Sequence, residues 1–297
     1  MSWKVSAMAS RGLVEAALEG HEDDTIVLSG REVDEAKGEW VLEAWLDDEP
    51  TPAQLRAIEA YFPDPGPQIE VEELEEQDWV TLSQAGMEPI RAGRFHVRTP
   101  DHPAADTAES IDLVIPASQA FGTGQHATTS GCLQILDRMR AADEKFTDII
   151  DVGTGTGLLA FAALRLWPEA RVTATDIDPV CEHVVCDNAG LNAVPLGQGH
   201  GAVFVLTADG VDHPQMAARA PFDLLIANIL AGPLIELAPD FARRVEAGGS
   251  IILAGLLITQ EDEVVAAYRQ EGLEVEQRLH SGDWSILWLR FPAPPSA

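Results

Sequence analysis

The stretch Ile149-Ile150-Asp151-Val152-Gly153-Thr154-Gly155-Thr156-Gly157, followed by Thr175-Asp176-Ile177-Asp178-Pro179, decides how this chain folds. It reads as a buried strand, a glycine turn, a helix, a second strand and an acidic end, which is the βαβ half of a nucleotide-binding fold. Glycines let the backbone turn sharply and come close to a ligand with no Cβ in the way. The helix that follows brings the positive end of its dipole to the same spot. Asp176 falls where a carboxylate can accept both hydroxyls of a ribose.

The spacing of the glycines separates one nucleotide from another. A dinucleotide fingerprint needs its third glycine one place later, where this chain has Leu158. The pattern here is GxGxG, the usual form in proteins that bind S-adenosylmethionine; other nucleotides and a plain tight turn share it. Working outward, strands are expected at Asp148 to Val152, Arg171 to Thr175, Val203 to Leu206, Phe222 to Ala227 and Ser250 to Ala254, with helices between them. Such alternation specifies a mostly parallel, doubly wound α/β sheet covered on both faces. Leu273 to Leu279 and Trp284 to Phe291 read as a C-terminal antiparallel hairpin, the methyltransferase variant of that sheet. Ligands bind such sheets at the carboxyl ends of the strands. The Gly153 turn, Asp176, Asp209 and Asn228 all fall at such ends.

The first part of the chain has a different rhythm. Trp3 to Ala7, Thr25 to Leu28, Trp40 to Leu46 and Ile69 to Leu74 read as strands, the middle two flanking a polar, glycine-containing hairpin. Arg11 to Leu18 reads as a helix, and Thr51-Pro52 opens another, with Thr51 as N-cap and Pro52 in the first turn. A β-α-β-β-α-β order is that of a small ferredoxin-like α+β domain. The expected division is a substrate-recognition domain over 1–74, a linker helix over 75–88 around Trp79, Leu82 and Met87, and a catalytic domain over 89–297.

Composition narrows the function. With 49 acids against 19 bases the formal net charge is -30, which disfavours direct nucleic-acid binding and favours a basic partner. The three cysteines, Cys132, Cys181 and Cys186, are too few and too odd in number for a disulfide scaffold. Cys181, His183 and Cys186 lack a second ligand pair at finger spacing, so no metal site is expected. Residues 1–20 have no continuous apolar core, and the apolar run Ile251 to Ile258 is far too short to span a bilayer. The expectation is a cytoplasmic protein with no membrane association.

Three further segments carry chemistry. Ala120-Phe121-Gly122-Thr123-Gly124-Gln125-His126-Ala127-Thr128-Thr129 makes a glycine loop entering a helix, able to fold over a cofactor. Thr207-Ala208-Asp209-Gly210 follows a strand; Asp209 suits an adenine amino group or a plain turn. Ala227-Asn228-Ile229-Leu230-Ala231-Gly232-Pro233-Leu234 puts an amide after an apolar run. The Asn228 carbonyl could accept a hydrogen bond from a target amine, and an Asn at a strand end is also a common turn former.

In this order and spacing, AFGTGQHATT, DVGTGTGLLA, DIDP and ANILAGPL resemble the PrmA family, methyltransferases of large-subunit ribosomal protein L-eleven (L11). The resemblance implies cofactor contacts at Thr129, Gly153, Asp176 and Asn228, with S-adenosylmethionine as cofactor and L11 as protein substrate recognised by the N-terminal domain. Gly155, in the same turn, would also admit the cofactor's methionine portion. Ala127, Thr154 and Thr156 depart from the family's usual proline, cysteine and serine but leave the glycines and polar groups in place. The reading is an S-adenosylmethionine-dependent protein N-methyltransferase acting on lysine or N-terminal amines of L11, with Asn228 as the catalytic residue. A related lysine methyltransferase with another target and a non-catalytic cofactor-binding assembly factor remain alternatives; a dehydrogenase is disfavoured by Leu158.

Overall fold

The computed structural model describes residues 2–19, 26–34, 39–46, 48–63, 65–74, 89–105, 107, 109–116, 125–211 and 213–292. It divides into two compact units, Met1–Ala85 and Gly86–Ala297. The expected linker helix over 75–88 lies outside the described residues, as do Gly122 and Gly124 of the glycine loop.

In the first unit, β1 (Ser2–Ser10), α1 (Arg11–Glu19), β2 (Val27–Asp34), β3 (Glu39–Leu46), α2 (Pro52–Glu59) and β4 (Ile69–Leu74) follow the expected ferredoxin-like order. The sheet runs β2-β3-β1-β4 with every pair antiparallel. Alternate residues Val5, Ala7, Leu42, Ala44 and Leu46 face the helices and meet Val14, Ala17, Ile58 and Phe62. Thr51 caps α2 as expected. Its hydroxyl accepts from the Gln54 N–H at 3.3 Å, while Gln54 Oε1 accepts from the Thr51 N–H at 3.0 Å, a reciprocal capping box. The second strand departs from expectation. It continues through Gly30 to Asp34 instead of turning after Leu28. Gly30 pairs with Leu42 inside the ladder. A Cβ there would strike Val14 of α1, so the glycine serves helix-on-sheet packing and not a turn.

The second unit opens with a small three-stranded sheet that the sequence reading did not anticipate: β5 (Ile90–Ala92), β6 (Phe95–Arg98) and β7 (Ile111–Val114). Its Phe95, Val97 and Leu113 join the main core. The chain then alternates through α3 (Gln125–Ala141), β8 (Asp148–Val152), α4 (Leu158–Leu166), β9 (Arg171–Asp176), α5 (Val180–Leu191), β10 (Ala202–Thr207), α6 (Pro214–Arg219) and β11 (Phe222–Asn228). After α7 (Ala231–Glu236) and α8 (Ala238–Arg244) come β12 (Val245–Leu257), α9 (Glu261–Gln270), β13 (Glu274–Ser281) and β14 (Trp284–Arg290). The order is β10-β9-β8-β11-β12-β14-β13. The first five strands are parallel, β14 pairs antiparallel with β12, and β13 pairs antiparallel with β14 at the edge, the expected C-terminal hairpin.

Burial explains why these strands read as near-continuous apolar runs. Ile149, Leu224, Ile226 and Ile252 face one buried layer; Ile150, Leu225, Ala227 and Ile251 face the other. A parallel sheet covered on both faces demands this. Strand β8 lies between β9 and β11, so the connections leave it in opposite directions. That switch point opens a crevice above the carboxyl ends of β8, β9 and β11.

Candidate active site

The crevice holds a cavity of about 550 Å³, lined among others by Thr129, Gly153, Gly155, Asp176, Asp209 and Asn228. Thus every site residue expected from the sequence reaches one cavity, although the residues are far apart in the chain. Its size lies within the ordinary range for small-molecule sites.

The glycine turn is built by its backbone. The N–H groups of Gly153 and Thr154 both donate to the carbonyl of Thr175, at 2.8 and 2.9 Å, tying the turn after β8 to β9. Gly153 and Gly155 have φ of 72° and 54°, a region where a side chain is strained. A Cβ on Gly155 would meet no atom within 4 Å, so it would project into open space at the cavity wall. Asp176 closes β9. Its two carboxylate oxygens accept from the N–H groups of Gly155 at 2.9 Å and Asp178 at 3.1 Å. A carboxylate has about four acceptor positions, so beside these two bonds and the Cys181 thiol it keeps capacity for a hydroxyl donor.

Asn228 closes β11, and its amide nitrogen donates to the Thr129 hydroxyl at 3.3 Å. Thr129 is buried in the first turns of α3. Ile229, next in the chain, is clamped from two sides. A Cβ on Gly153 would strike its side chain, and a Cβ on Gly255 would fall on its carbonyl group. Gly255, with φ of 87°, sits where the β12–β14 register shifts between Leu253 and Leu256. The sequence reading missed Gly255. The available signal was a glycine inside a strand run, which marks a bulge or a close backbone approach.

Beneath the turn lies Asp151, 1% exposed. Its Oδ2 accepts from the Thr154 hydroxyl at 2.6 Å and from the Ala160 N–H at 3.1 Å. Burial pushes this carboxyl up to about 7, against the lowering effect of those two hydrogen bonds and with a smaller push from Asp176. Thr154, a departure from the family pattern, therefore ties the turn to the buried acid. The far wall of the cavity comes from α7 and the residue after it, through Pro233, which belongs to the ANILAGPL stretch, and through Glu236 and Leu237, which no motif singled out. Ile177 and Leu230, 67% and 71% exposed, also line it and give its rim an apolar character. The side chain of His126 lies outside the described residues. Cys181, His183 and Cys186 lie on α5, and among the described residues no group of three His, Cys, Asp or Glu side chains is placed to hold a metal. Among the described residues no helix is long and apolar enough to cross a membrane.

The arrangement combines a glycine turn with free space for a ligand, a carboxylate and an amide at one strand-end crevice. Such a site can hold a nucleoside cofactor beside a hydrogen-bonded second substrate. A structure of ribosomal protein L11 methylase from Lactobacillus delbrueckii subsp. bulgaricus superimposes with a TM-score of 0.58 at 24% identity, covering 69% of this chain and 99% of that one. At that identity the likeness concerns the fold alone. By sequence, the ribosomal protein L11 methyltransferase of Brucella suis is 38% identical over 97% of this chain and 96% of its own length. The protein of the same name from Chelativorans sp. is 44% identical over 75% of this chain and 74% of its own. The family model described as Ribosomal protein L11 methyltransferase (PrmA) matches residues 2–291. Nearly the whole chain, both units included, is matched, and the family that the four motifs suggested is the one to which this chain belongs: the ribosomal protein L11 methyltransferases.

Proposed function

We propose that this protein transfers methyl groups from S-adenosylmethionine to lysine or N-terminal amines of ribosomal protein L11. The observation that carries this reading is the meeting of the Gly153–Gly157 turn, Asp176 and Asn228 around one cavity at the carboxyl ends of β8, β9 and β11. When bound, S-adenosylmethionine supplies a methyl group already activated on a sulfonium. The chain's own residues therefore need only to bind, orient and exclude water. Gly153 and Gly155 hold the turn that takes the methionine portion, Gly155 by leaving open space where a Cβ would project and Gly153 by its left-handed φ. Asp176 takes the ribose hydroxyls with its remaining acceptor capacity. Asp209 lines the adenine end, and Thr129 helps close the site from α3.

Asn228 holds the target. Its carbonyl oxygen accepts an N–H from a neutral amine, which turns the nitrogen lone pair toward the methyl group. As the new nitrogen–carbon bond forms, the bond from that methyl carbon to the sulfonium sulfur would break, its electron pair would go to sulfur so that S-adenosylhomocysteine leaves, and the alkylated nitrogen would then give up a proton to solvent. No strong base is required, because the nucleophile reacts as the free amine. The N-terminal unit, with its separate core and no chemical motif, docks the ribosomal protein; the chain's charge of -30 suits a basic partner.

Incubation with S-adenosylmethionine and purified L11, followed by mass mapping of added methyl groups, tests the proposal. Methylated lysines or a methylated N-terminus are expected. Absence of product from folded, cofactor-saturated protein would refute it. Removing residues 1–88 is expected to leave cofactor affinity nearly intact and to abolish methylation of L11. Full-rate methylation by a cooperatively melting truncated protein would refute the docking role.

A further inference from the structure

The resemblance to the family implies that Thr129 touches the cofactor, yet the hydrogen bond its side chain makes in the structure goes to Asn228. A primary amide engaged through its NH2 group presents its carbonyl to the opposite side. The orientation matters for amine chemistry. A carbonyl accepts the amine's N–H and leaves the nitrogen lone pair free; an NH2 group facing the amine would donate to that lone pair and blunt it. Asn228 is held in a second way as well. The backbone of Ile229 lies against the α-carbon of Gly255, where a Cβ would fall on the Ile229 carbonyl oxygen and 2.7 Å from its carbon. The left-handed φ of Gly255 and the register shift beside it make that approach possible. On the other side, the Ile229 side chain fills the space over Gly153. One end of the peptide after Asn228 is thus gripped between the cofactor turn and a bulge in β12.

We propose that Thr129 and Gly255 are positioning residues for methyl transfer: Gly255 sets where Asn228 lies, and Thr129 anchors its amide against rotation away from the target. This rests on the reading of Asn228 as the group that holds the target amine. Neither residue need touch the cofactor for the reaction to depend on it. Thr129 acts across 99 residues of sequence and through a single bond, so its loss is felt at the amine and not at the sulfonium.

A double-mutant cycle with full-length protein, S-adenosylmethionine and L11 tests this, reading turnover at saturation and cofactor affinity by calorimetry. Thr129→Val is expected to lower turnover about tenfold while shifting cofactor affinity less than about twofold, and Thr129→Ser, which keeps the hydroxyl, to restore most of the turnover. In an Asn228→Ala background, Thr129→Val should cost nothing further. Gly255→Ala should lower turnover at least as much as Thr129→Val while the protein still melts cooperatively. If Asn228→Ala alone turns over at the wild-type rate, the reading of Asn228 fails. If Asn228→Ala is impaired but Thr129→Val costs as much in its background as alone, the positioning role of Thr129 is wrong. Loss of cofactor affinity with unchanged turnover at saturation would make Thr129 a cofactor ligand and overturn the proposal. Wild-type turnover in folded Gly255→Ala would remove Gly255 from it.

Discussion

Replacing Asp151 by Asn should flatten the dependence of folding stability on pH. Asp151 is buried beneath the glycine turn, and its carboxyl is raised from an ordinary 3.8 to about 7 in the folded state. The folded protein therefore binds one more proton than the unfolded chain between those two values, and stability falls as pH rises through that window. The contribution is fully present below the unfolded value and is gone above the folded one. Between pH 5 and pH 8 the loss from this single group comes to about 3 kcal/mol, roughly half of it above pH 6. Other acids titrate too; Glu261, whose serine, histidine and arginine partners lower its carboxyl against the raising effect of burial, contributes with the opposite sign. Those groups are common to wild type and variant, so the difference between the two isolates Asp151. The introduced amide keeps an oxygen to accept from Thr154 and Ala160 but places an NH2 group where Asp151 Oδ1 has no partner among the described residues, a constant cost of about 1–3 kcal/mol. Urea denaturation of both proteins at intervals from pH 5 to pH 8 gives the test. The wild type should lose stability relative to Asp151→Asn by about 3 kcal/mol across the range, with the curve levelling above pH 7. Parallel profiles would show that Asp151 ionises normally and would refute the burial argument.

Asp176→Ala should weaken S-adenosylmethionine binding by about tenfold or more, since charge-assisted bonds to a ribose contribute roughly 1.5–3 kcal/mol, and calorimetry on the folded variant would measure it. Gly155→Ala should reduce cofactor affinity while costing only about 1 kcal/mol of stability, because the new Cβ meets no protein atom and the penalty is the left-handed φ of 54°; a variant that unfolds instead would contradict that local picture. Thr51→Ala removes the capping box of α2 and should cost about 1 kcal/mol of stability, seen as a lowered denaturation midpoint, while methyl transfer by the folded protein is unchanged.

Local patterns carry much of this architecture into view. The alternation of apolar runs with helical segments announces a parallel sheet because such strands are buried on both faces, and burial on both faces leaves its mark residue by residue. The glycines of the Gly153 turn and the acid at Asp176 are legible for a related reason: each serves the backbone geometry of the turn, the glycines by their left-handed φ and Asp176 by accepting from the Gly155 N–H. The sheet of β5, β6 and β7 is not legible, since strands of three or four residues hold too few alternations to stand out from a loop. Gly30 reads as a turn because a glycine in isolation signals a turn; only α1 crossing over it shows that the missing side chain is space for Val14.

What the sequence alone determined is the class of sheet, and it singled out the candidate residues Thr129, Gly153, Gly155, Asp176, Asp209 and Asn228 that line one cavity, all but Thr129 at strand ends, because those follow from periodicity and from motifs read within a few neighbours. Tertiary structure alone decided the rest. The Thr129–Asn228 hydrogen bond, the seat of Ile229 against Gly255, the raised carboxyl of Asp151 and the wall contributed by Glu236 each depend on what lies across the fold. The physical reason is that contact, burial and electric field are properties of distance in space, and along a folded chain that distance is not written in the spacing of residues.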